Sequence, residues 1–384
     1  MSFQTGYSGF LGAIAATAVA LTAFATDAQA EAITLTDIAG RQVTLPDNPT
    51  RIILGEGRMM YSVAAIEDGN PFENIIGWKD DLVQFDPDAY RRFAEAFPDD
   101  AERMINFGNP YSGDFSIETV LQNEADLVIL ELGGLFNAEE TGLIERLDEA
   151  GVPVVFLDFR RNATENTIPS LLILGRILGE EANTAEFIDF YIAEMRRVTN
   201  VIDGIPAEER PLVAIENAAG WQQDFCCWSF GPYNYGRFVE LAGGVNLGST
   251  LANAYSVDLT MEGIIAADPD VVFGTGANWA EARPEVTATL LGYEGDPAVN
   301  QERLQALASR PGFENLRAVE EGRFHSIYHQ FYNSPYHFVA IQQLAQWFYP
   351  EEFPDLDVED TMTRLHDQFL PFEYQGQFWV SLSN

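Results

Sequence analysis

The strongest constraint on the fold is a repeated alternation between short, continuous Val/Ile/Leu runs and amphipathic helical segments. In the first half of the chain the apolar runs are Arg51–Gly55, Ile75–Trp78, Ala125–Leu132 and Val152–Phe159. A run that is apolar at nearly every position is typical of a strand buried on both faces. Because parallel strands need helical crossovers, the alternation predicts an α/β fold in which helices cover both faces of a parallel sheet.

The same alternation begins again after a long helical region. Apolar residues recur at helical spacing from Ile168 to about Ile202, with a break expected near Gly179. Strand patterns then follow at Pro211–Ala218, Asp270–Gly276 and Arg323–Tyr328. No Pro/Ser-rich linker separates the two halves, so the sequence predicts two α/β units that are joined by helix.

Two segments, one in each half, repeat a single pattern. SIETVLQNEADLVIL starts at Ser116 and TMEGIIAADPDVVFG starts at Thr260, and in each a hydroxyl residue is followed two positions later by a glutamate. These glutamates, Glu118 and Glu262, are 144 residues apart, and each lies eight positions before an aspartate that opens a strand. The repeat predicts two similar lobes with the glutamates in equivalent places.

The N-terminus has the features of a secretory signal peptide. A run of small apolar residues extends from Phe10 to Ala25, and Ala28-Gln29-Ala30 follows as an A-x-A cleavage site. The run is short for a membrane span, which needs about 20 residues, and an uncleaved anchor is the alternative. We therefore expect residues 1–30 to be removed and the rest to be exported to a periplasm, with no stable membrane insertion.

Net charge excludes one large class of partners. The chain carries 59 acidic and 21 basic residues, which gives a net charge of −38 at pH 7. Such a chain repels phosphate backbones, so nucleic-acid binding is excluded, and adsorption to an anionic membrane is disfavoured for the same reason. The basic residues are correspondingly informative, since Lys79 is the single lysine in the chain.

The usual sequence signatures of an enzyme are absent. The chain after the signal peptide has no HExxH, Walker A or GxSxG motif, and GTGANW at Gly274 lacks the third glycine of a dinucleotide fingerprint. We therefore expect a binding protein with no catalytic residue, no intrinsic cofactor and no metal site of its own. The alternative is an exported enzyme on a two-lobed α/β fold.

Two aromatic clusters favour a binding crevice. Seven aromatic residues lie between Trp221 and Phe238, in a stretch that Gly, Pro, Asn and Gln interrupt without periodicity, which predicts an aromatic-lined loop. The second cluster, YHQFYNSPYHF, directly follows a predicted strand, and ligands of α/β sheets bind at the carboxyl ends of strands. The candidate ligand contacts in the clusters and the glycine loop are Trp221, Trp228, Tyr235, Trp279, His329 and Tyr332. Packing in the core is the alternative for each.

The two cysteines of the chain, Cys226 and Cys227, are neighbours inside the first aromatic cluster. An oxidising compartment favours a disulfide between them, and a pair of buried thiols is the alternative. Adjacent cysteines alone cannot form a metal site.

Basic residues follow three predicted strands of the first half, at the points where the strands end. They are Arg58, Lys79, Arg160 and Arg161. Because the carboxyl ends of parallel strands meet at one edge of the sheet, we expect these side chains to line the crevice and face an anionic ligand. Ordinary solvated surface charges are the alternative.

Together these segments resemble the substrate-binding proteins of ABC importers for iron complexes and cobalamin. TDIAGRQVTLPDNPTRII, the two glutamate segments, ELAGGVNLG and LRAVEEGRFHSI occur in the order and spacing of that family, over nearly all of the exported chain. The resemblance implies two Rossmann-like lobes joined by a single long helix, with the ligand between them. The implied domains are a signal peptide at 1–30, an N-terminal lobe at 31–166, a connecting helix at 167–203 and a C-terminal lobe at 204–384.

The resemblance also implies a partner and a class of ligand. The family's docking glutamates, one per lobe, pair with arginines of the membrane permease, and by motif they correspond to Glu118 and Glu262. The expected ligand is a ferric siderophore, because such complexes are often anionic and match the basic residues of the crevice. Haem, with Tyr332 or His329 as an axial ligand, and cobalamin, packed on tryptophans, are the alternatives. The protein is expected to be a monomer.

Overall fold

The structure is a computed structural model that describes residues 1–2, 32–222 and 226–382. The predicted cleavage site and the apolar run before it lie outside the described residues. In chain order, the strands β1 to β14 are Ala32–Thr36, Gln42–Pro46, Ile52–Leu54, Ile75–Trp78, Ile105–Asn106, Leu127–Glu131, Val154–Leu157, Leu212–Glu216, Trp228–Phe230, Val245–Asn246, Ser256–Asp258, Val271–Gly276, Phe324–Tyr328 and Trp379–Ser381.

The α-helices of the described chain, α1 to α16, follow the strands in alternation over both halves. They are Met60–Ala64, Asp81–Phe85, Pro87–Ala96, Pro98–Glu102, Ile117–Gln122, Leu135–Glu140, Leu143–Glu149, Ala163–Leu178, Glu181–Ile202, Tyr235–Leu241, Leu247–Leu251, Met261–Ala267, Pro297–Ala308, Arg317–Glu320, His337–Phe348 and Val358–Phe369. None of these helices combines the length and the hydropathy that a membrane span requires.

The first sheet consists of five parallel strands in the order β5-β4-β3-β6-β7. From β3 the chain adds strands on one side as far as β5, and then adds β6 and β7 on the other side. Both central strands are buried at every position, because apolar residues occupy both of their faces. In such a sheet a ligand crevice forms outside the carboxyl ends of the strands where this reversal occurs. Here those ends are Leu54 and Glu131.

The second sheet repeats this plan in the order β10-β8-β12-β13-β14. Its strands are parallel except for β14, which pairs antiparallel with β13 at the edge. The reversal lies between β8, which ends at Glu216, and β12, which ends at Gly276. The predicted fold class, α/β with two Rossmann-like lobes, is confirmed.

Two consecutive helices connect the lobes. α8 begins before the predicted start at Ile168, α9 ends at Ile202 as predicted, and the chain breaks between them at Gly179, whose φ of +77° favours glycine. The helices pack closely because Gly175 has no side chain: a Cβ there would lie 2.1 Å from Thr184 Oγ1. The predicted long helix is therefore divided into a packed pair, and the exact domain boundaries stay predictions.

The C-terminal helices brace this connection. α15 is buried along most of its length and packs against α9. Gln342 Nε2 on α15 donates hydrogen bonds to the Glu194 carbonyl (3.1 Å) and carboxylate (2.8 Å) on α9. α15 thereby holds the connecting helix α9 against the second lobe.

Candidate functional site

The candidate ligand site lies where the strand ends of the two sheets face each other. Arg58 is in the 3₁₀-helix Gly57–Met59, just after β3. Its Nη1 donates to the Tyr332 hydroxyl (2.6 Å) and to Gln330 Oε1 (3.2 Å), both in the 3₁₀-helix His329–Asn333 after β13. Two predicted contacts, Arg58 and Tyr332, therefore meet across the crevice although 274 positions separate them in sequence.

Arg58 is also half of a buried ion pair. Its Nε donates to Asp81 Oδ2 at 2.5 Å, and a backbone N–H, that of Gly57, donates to Asp81 Oδ1 at 2.6 Å. Arg58 is 7% exposed and Asp81 is 1% exposed. Burial raises the pKa of Asp81 above its ordinary value, and the positive charge of Arg58 opposes this. The floor of the first lobe thus contains a cation that is already paired within the protein.

Arg160 follows β7 and is shared by two buried carboxylates. Its Nη1 and Nη2 each lie 3.1 Å from an oxygen of Glu56, and Nη2 also lies 3.0 Å from Glu131 Oε2. Burial raises the pKa of Glu131 to about 8. Burial would raise the pKa of Glu56 as well, but the positive charges of Arg160, Arg58 and Lys79 outweigh it and hold that pKa below its ordinary value. At neutral pH, Glu56 is the ionised partner of Arg160.

Asp158 positions the loop that carries Arg160. Its Oδ1 accepts the backbone N–H groups of Arg160 (3.0 Å) and Arg161 (2.7 Å). Its Oδ2 accepts the N–H of Asn162 (3.0 Å) and Nδ2 of Asn166 (2.8 Å). These four hydrogen bonds fix the backbone between β7 and α8, and this holds Arg160 at the floor of the crevice.

Aromatic side chains of the second lobe form the opposite wall. The Trp279 ring lies edge-on to Trp221 (5.2 Å between centroids) and to His329 (5.0 Å), and His329 lies 4.5 Å from the ring of Tyr332. Four predicted contacts therefore form one continuous aromatic wall. His329 Nδ1 shares a 2.8 Å hydrogen bond with Thr275 Oγ1, and burial lowers its pKa to about 3, so this imidazole is neutral at physiological pH.

A buried polar seam beside the crevice joins the two lobes. Asp86, between α2 and α3, accepts hydrogen bonds from the hydroxyls of Tyr61 in its own lobe and of Tyr328 at the end of β13. The neighbouring Phe85 carbonyl accepts Trp279 Nε1 at 3.1 Å. Burial raises the pKa of Asp86 to about 7. The lobes are therefore in contact through this seam as well as through α8 and α9.

The other predicted basic and aromatic contacts lie around the floor and at the surface. The Lys79 ammonium, after β4, is 5.9 Å from the ring centroid of Tyr111. Arg161 is exposed, lies 5.9 Å from the ring of Tyr233, and borders an open groove of about 430 Å³ at the start of α8. Trp228, on β9, is 47% exposed. Lys79 thus belongs to the floor, whereas Arg161 and Trp228 face solvent.

The structure corrects the prediction for Tyr235. This side chain is completely buried, packs on Phe238 and Phe273 in the core of the second lobe, and donates a 2.6 Å hydrogen bond to the Tyr328 carbonyl. The physical reason is that the aromatic stretch becomes helix α10 at this residue. Helical spacing then turns Tyr235 and Phe238 to the same inward face.

The sulfur atoms of Cys226 and Cys227 are joined in a disulfide between sequence neighbours. Cys227 exchanges two backbone hydrogen bonds with Leu259, at 2.8 and 2.9 Å. These bonds extend the antiparallel pairing of β9 with β11, so the bridge lies at the end of that ribbon. Residues 223–225, which precede the bridge, are outside the described chain.

The two candidate docking glutamates occupy equivalent positions. Glu118 lies in the first turn of α5 and Glu262 in the first turn of α12, and both are exposed. The helices are capped by Ser116 and Thr260, whose side-chain oxygens each accept a backbone N–H at 3.1 Å. α5 leads into β6 and α12 into β12, so both helices begin on the carboxyl side of their sheets, which is the side of the crevice.

The sequence analysis missed the acidic half of the floor. Glu56 and Asp81 follow the same strands as the predicted cations Arg58 and Lys79, and Glu131 is the last residue of β6. Tyr111 was missed too, and its hydroxyl accepts the N–H of Glu131 at 2.9 Å. Glu56, Asp81 and Glu131 could have been identified from the sequence, because they lie at the ends of predicted strands, which is the criterion that identified Arg58.

The described side chains include no group of three or more His, Cys, Asp or Glu that could hold a metal ion. The two side chains considered as axial haem ligands have protein partners here, since Tyr332 accepts from Arg58 and His329 bonds to Thr275. The arrangement is that of a ligand crevice with a charged floor and an aromatic wall.

Comparisons with known proteins concern the family and the fold. The chain matches the model of a periplasmic binding protein family over residues 76–329. The TroA-like periplasmic binding protein FepB from Veillonella parvula superposes with a TM-score of 0.81 at 27% identity, covering 91% of this chain and 100% of that one. No curated protein is significantly similar in sequence.

Two more distant structures share the fold. The molybdate periplasmic binding protein MolA of a Haemophilus influenzae ABC transporter has a TM-score of 0.68 at 16% identity, covering 89% of this chain and 99% of that one. A periplasmic heme binding protein from Pseudomonas aeruginosa has a TM-score of 0.55 at 18% identity, covering 88% and 99%. The family match spans well over half of the 384 residues. The chain therefore belongs to the periplasmic binding protein family, whose members bind small molecules for ABC transporters.

Proposed function

We propose that this protein captures an anionic ferric siderophore between its lobes and delivers it to the permease of an ABC importer. The observation that carries the proposal is the composition of the crevice. Arg58, Lys79 and Arg160 lie on the floor of one lobe, opposite an aromatic wall on the other. The oxygen donors of a ferric siderophore carry negative charge and suit the guanidinium groups, and its organic shell suits the aromatic rings.

Ligand class is tested by titration with complexes of different charge. The fluorescence of Trp221 and Trp279, which belong to the wall, reports on occupancy of the crevice. The probes are a hexadentate ferric tris-catecholate (anionic), ferrichrome (neutral), haem and cyanocobalamin. We expect the anionic ferric complex to bind most tightly. Tighter binding of haem or cyanocobalamin would reject the siderophore and leave the importer function intact.

Lys79→Gln tests the role of charge in that crevice. Lys79 forms no ion pair within 4 Å among the described residues, so the variant is expected to fold, although Glu56 and Asp81 lose one nearby positive charge. Loss of one charged hydrogen bond at a desolvated site costs about 1.5–3 kcal/mol, so the anionic complex should bind roughly 10- to 150-fold more weakly. Arg146→Gln, at an exposed position on α7, is the matched control. Equal affinities for the two variants would contradict an anionic ligand.

Delivery to a permease requires a docking surface, which we assign to Glu118 and Glu262. Three positions after each glutamate lies an apolar side chain, Leu121 or Ile265, that is 50% exposed. Residues three apart share one face of a helix, so each lobe presents a carboxylate beside an exposed aliphatic group. That combination suits a protein interface with a charged rim.

Glu118→Arg/Glu262→Arg separates docking from ligand binding. The glutamates favour their helix starts by only about 0.3–1 kcal/mol each, so the double variant should fold and bind ligand as the wild type does. Uptake and stimulation of the transporter ATPase should collapse, because like charges then meet at the permease. Glu149→Arg/Glu302→Arg, with one exposed helical glutamate per lobe, is the control. Normal uptake with the first pair would refute the docking assignment.

We also propose that the protein is exported and cleaved after Ala30. Mass spectrometry of periplasmic protein is expected to find an N-terminus at or near Glu31. Membrane-bound protein that begins at Met1 would favour an uncleaved anchor instead.

A further inference from the structure

The floor of the crevice in the first lobe holds more acids than bases. The bases are Arg58, Lys79 and Arg160, and the acids are Glu56, Asp81, Glu131 and Asp158. All four acids are 4% exposed or less, so water does little to stabilise their charges. Three bases cannot balance four buried carboxylates, and an uncompensated buried charge is costly, so one of the acids is expected to hold a proton.

Three of the acids have donors that favour the ionised form. Asp81 accepts Arg58 Nε at 2.5 Å and a backbone N–H at 2.6 Å. Glu56 receives both terminal nitrogens of Arg160. Asp158 accepts four N–H groups, three of them from the backbone. Both oxygens of each of these three acids therefore already accept from donors in the protein, and none of them needs a proton to complete its hydrogen bonds.

Of the four acids, Glu131 has the contacts that would stabilise a negative charge least. Its Oε2 accepts hydrogen bonds from the Gly133 N–H at 2.6 Å and from Nη2 of Arg160 at 3.0 Å. The same Arg160 nitrogen also forms an ion pair with Glu56. Its Oε1 is buried and accepts no hydrogen bond from the described residues. The carboxyl group of Asp158 lies within hydrogen-bonding reach of Glu131. Two carboxylates cannot bond to each other, whereas a proton on Glu131 supplies the missing donor.

We propose that Glu131 is a neutral carboxylic acid at physiological pH, that it donates its proton to Asp158, and that loss of this proton weakens the binding of an anionic ligand. The last part rests on the proposed function. With Glu131 protonated, three bases face three carboxylates and the floor is electrically neutral. Burial raises the pKa of Glu131 to about 8; Arg160 opposes the rise, and the charges of Asp158 and Glu56 add to it.

Groups from every surrounding element face Glu131. The groups that interact with Glu131 directly are Glu56, Tyr111, Asp158 and Arg160 of its own lobe and Tyr255 of the other lobe. Arg58, Lys79, Asp81 and Tyr332 interact in turn with Glu56 or Arg160, or with one another. Burial raises the pKa values of Tyr111 and Tyr255 above the ordinary range of a phenol, so these hydroxyls stay neutral near pH 8. Despite burial, nearby positive charges keep the pKa of Glu56 low. The pKa of about 8 at Glu131 is thus the one expected to change the charge of the floor in mildly alkaline solution.

The expected effect is a pH-dependent affinity. Above pH 8 the proton leaves Glu131 for solvent and a negative charge remains beside Arg160. The dissociation constant of the hexadentate ferric tris-catecholate is expected to rise about tenfold per pH unit over this range. This holds at pH values where Glu131 is ionised in the free protein but still protonated in the ligand-bound protein. Glu131→Gln keeps a donor but cannot ionise, so its affinity should be constant. Glu139→Gln, on the exposed side of α6, should behave as the wild type.

The protonation state is tested separately, on ligand-free protein. Infrared spectra at pH 7 are expected to show a protonated-carboxyl carbonyl band in the wild type and in Glu139→Gln that is missing from Glu131→Gln. Glu131→Met, which has neither a charge nor a proton to lose, is the second variant, and urea unfolding verifies that both are folded. Identical carbonyl bands in the wild type and both variants would overturn the proposal.

The two measurements also separate this inference from the proposed function. A pH-independent wild-type affinity, with the infrared band present, would overturn the link between the proton and the ligand. If the hexadentate ferric tris-catecholate does not bind, the proposed ligand is rejected, while the infrared comparison still decides whether Glu131 carries the proton.

Discussion

The buried ion pair between Arg58 and Asp81 offers a quantitative test of how the crevice is held together. Arg58 Nε and Asp81 Oδ2 are 2.5 Å apart, and the two side chains are 8% and 0% exposed. Arg58→Ala leaves the Asp81 carboxylate buried without its main cation. Removal of one partner from a buried pair costs about 3–5 kcal/mol, and we expect the free energy of unfolding to fall by about that amount.

A variant in which both partners are neutral shows whether the loss comes from an unpaired Asp81. Arg58→Met/Asp81→Asn buries neither charge, and neutral replacement of both partners is often tolerated, so this variant should recover most of the loss. Urea unfolding followed by tryptophan fluorescence gives the free energies. Arg103→Ala is the control, because its 2.8 Å pair with Asp100 has side chains 47% and 25% exposed and contributes about 0–1 kcal/mol.

Two results would refute this reasoning. One is an Arg58→Ala variant that is no less stable than Arg103→Ala. The other is a double variant as unstable as Arg58→Ala alone, because the damage would then not come from an unpaired Asp81. If the double variant is stable, its affinity for an anionic ferric complex measures the contribution of the Arg58 charge without loss of the fold.

Three further predictions concern other parts of the molecule. Gly77→Ala in β4 should destabilise the first lobe by at least about 1–3 kcal/mol in urea unfolding, because its Cβ would lie 2.1 Å from the Ile105 carbonyl oxygen; a neutral result would contradict this packing. Thiol titration of denatured, unreduced protein should find no free thiol at Cys226 and Cys227, whereas two free thiols would exclude the bridge. Burial raises the pKa of Asp86 from 3.8 to about 7, so the native state holds this proton more tightly than the unfolded chain, and the contribution of Asp86 to stability should fall by about 3 kcal/mol as the pH rises from 4 to 7. Asp86→Asn should flatten that slope, and an unchanged slope would place the titrating group elsewhere.

The architecture could be predicted because it depends on patterns local in sequence. The apolar run of β3 specifies a strand buried on both faces, and the hydroxyl residues before Glu118 and Glu262 specify the starts of two equivalent helices. The position of Gly179 specified the break between the connecting helices, because a left-handed conformation ends a helix there. Each of these features follows from neighbours a few positions away.

The charge balance of the crevice could not be predicted in the same way. The basic residues at the strand ends suggested cations that are available to bind an anionic ligand. In the structure, Arg58 is instead paired with Asp81, and Arg160 with Glu56 and Glu131. Those pairings depend on which strands are neighbours and on a register that no local pattern encodes. The burial of Tyr235 had the same origin, since the start of α10 decides whether that ring faces the crevice or the core.

These pairings constrain any ligand that enters the crevice, because it has to replace contacts the lobes already make. Arg58 donates to Tyr332 and Gln330 of the opposite lobe. Hydrogen bonds to a charged group contribute about 1.5–3 kcal/mol each, so releasing both costs about 3–6 kcal/mol, or a factor of roughly 10² to 10⁴ in affinity. A ligand with several anionic oxygen atoms can replace these two acceptors of Arg58 Nη1, whereas an apolar ligand offers no acceptor in their place. Under the proposed function, the closed contacts are therefore expected to favour an oxygen-rich anion even though the floor carries almost no free positive charge.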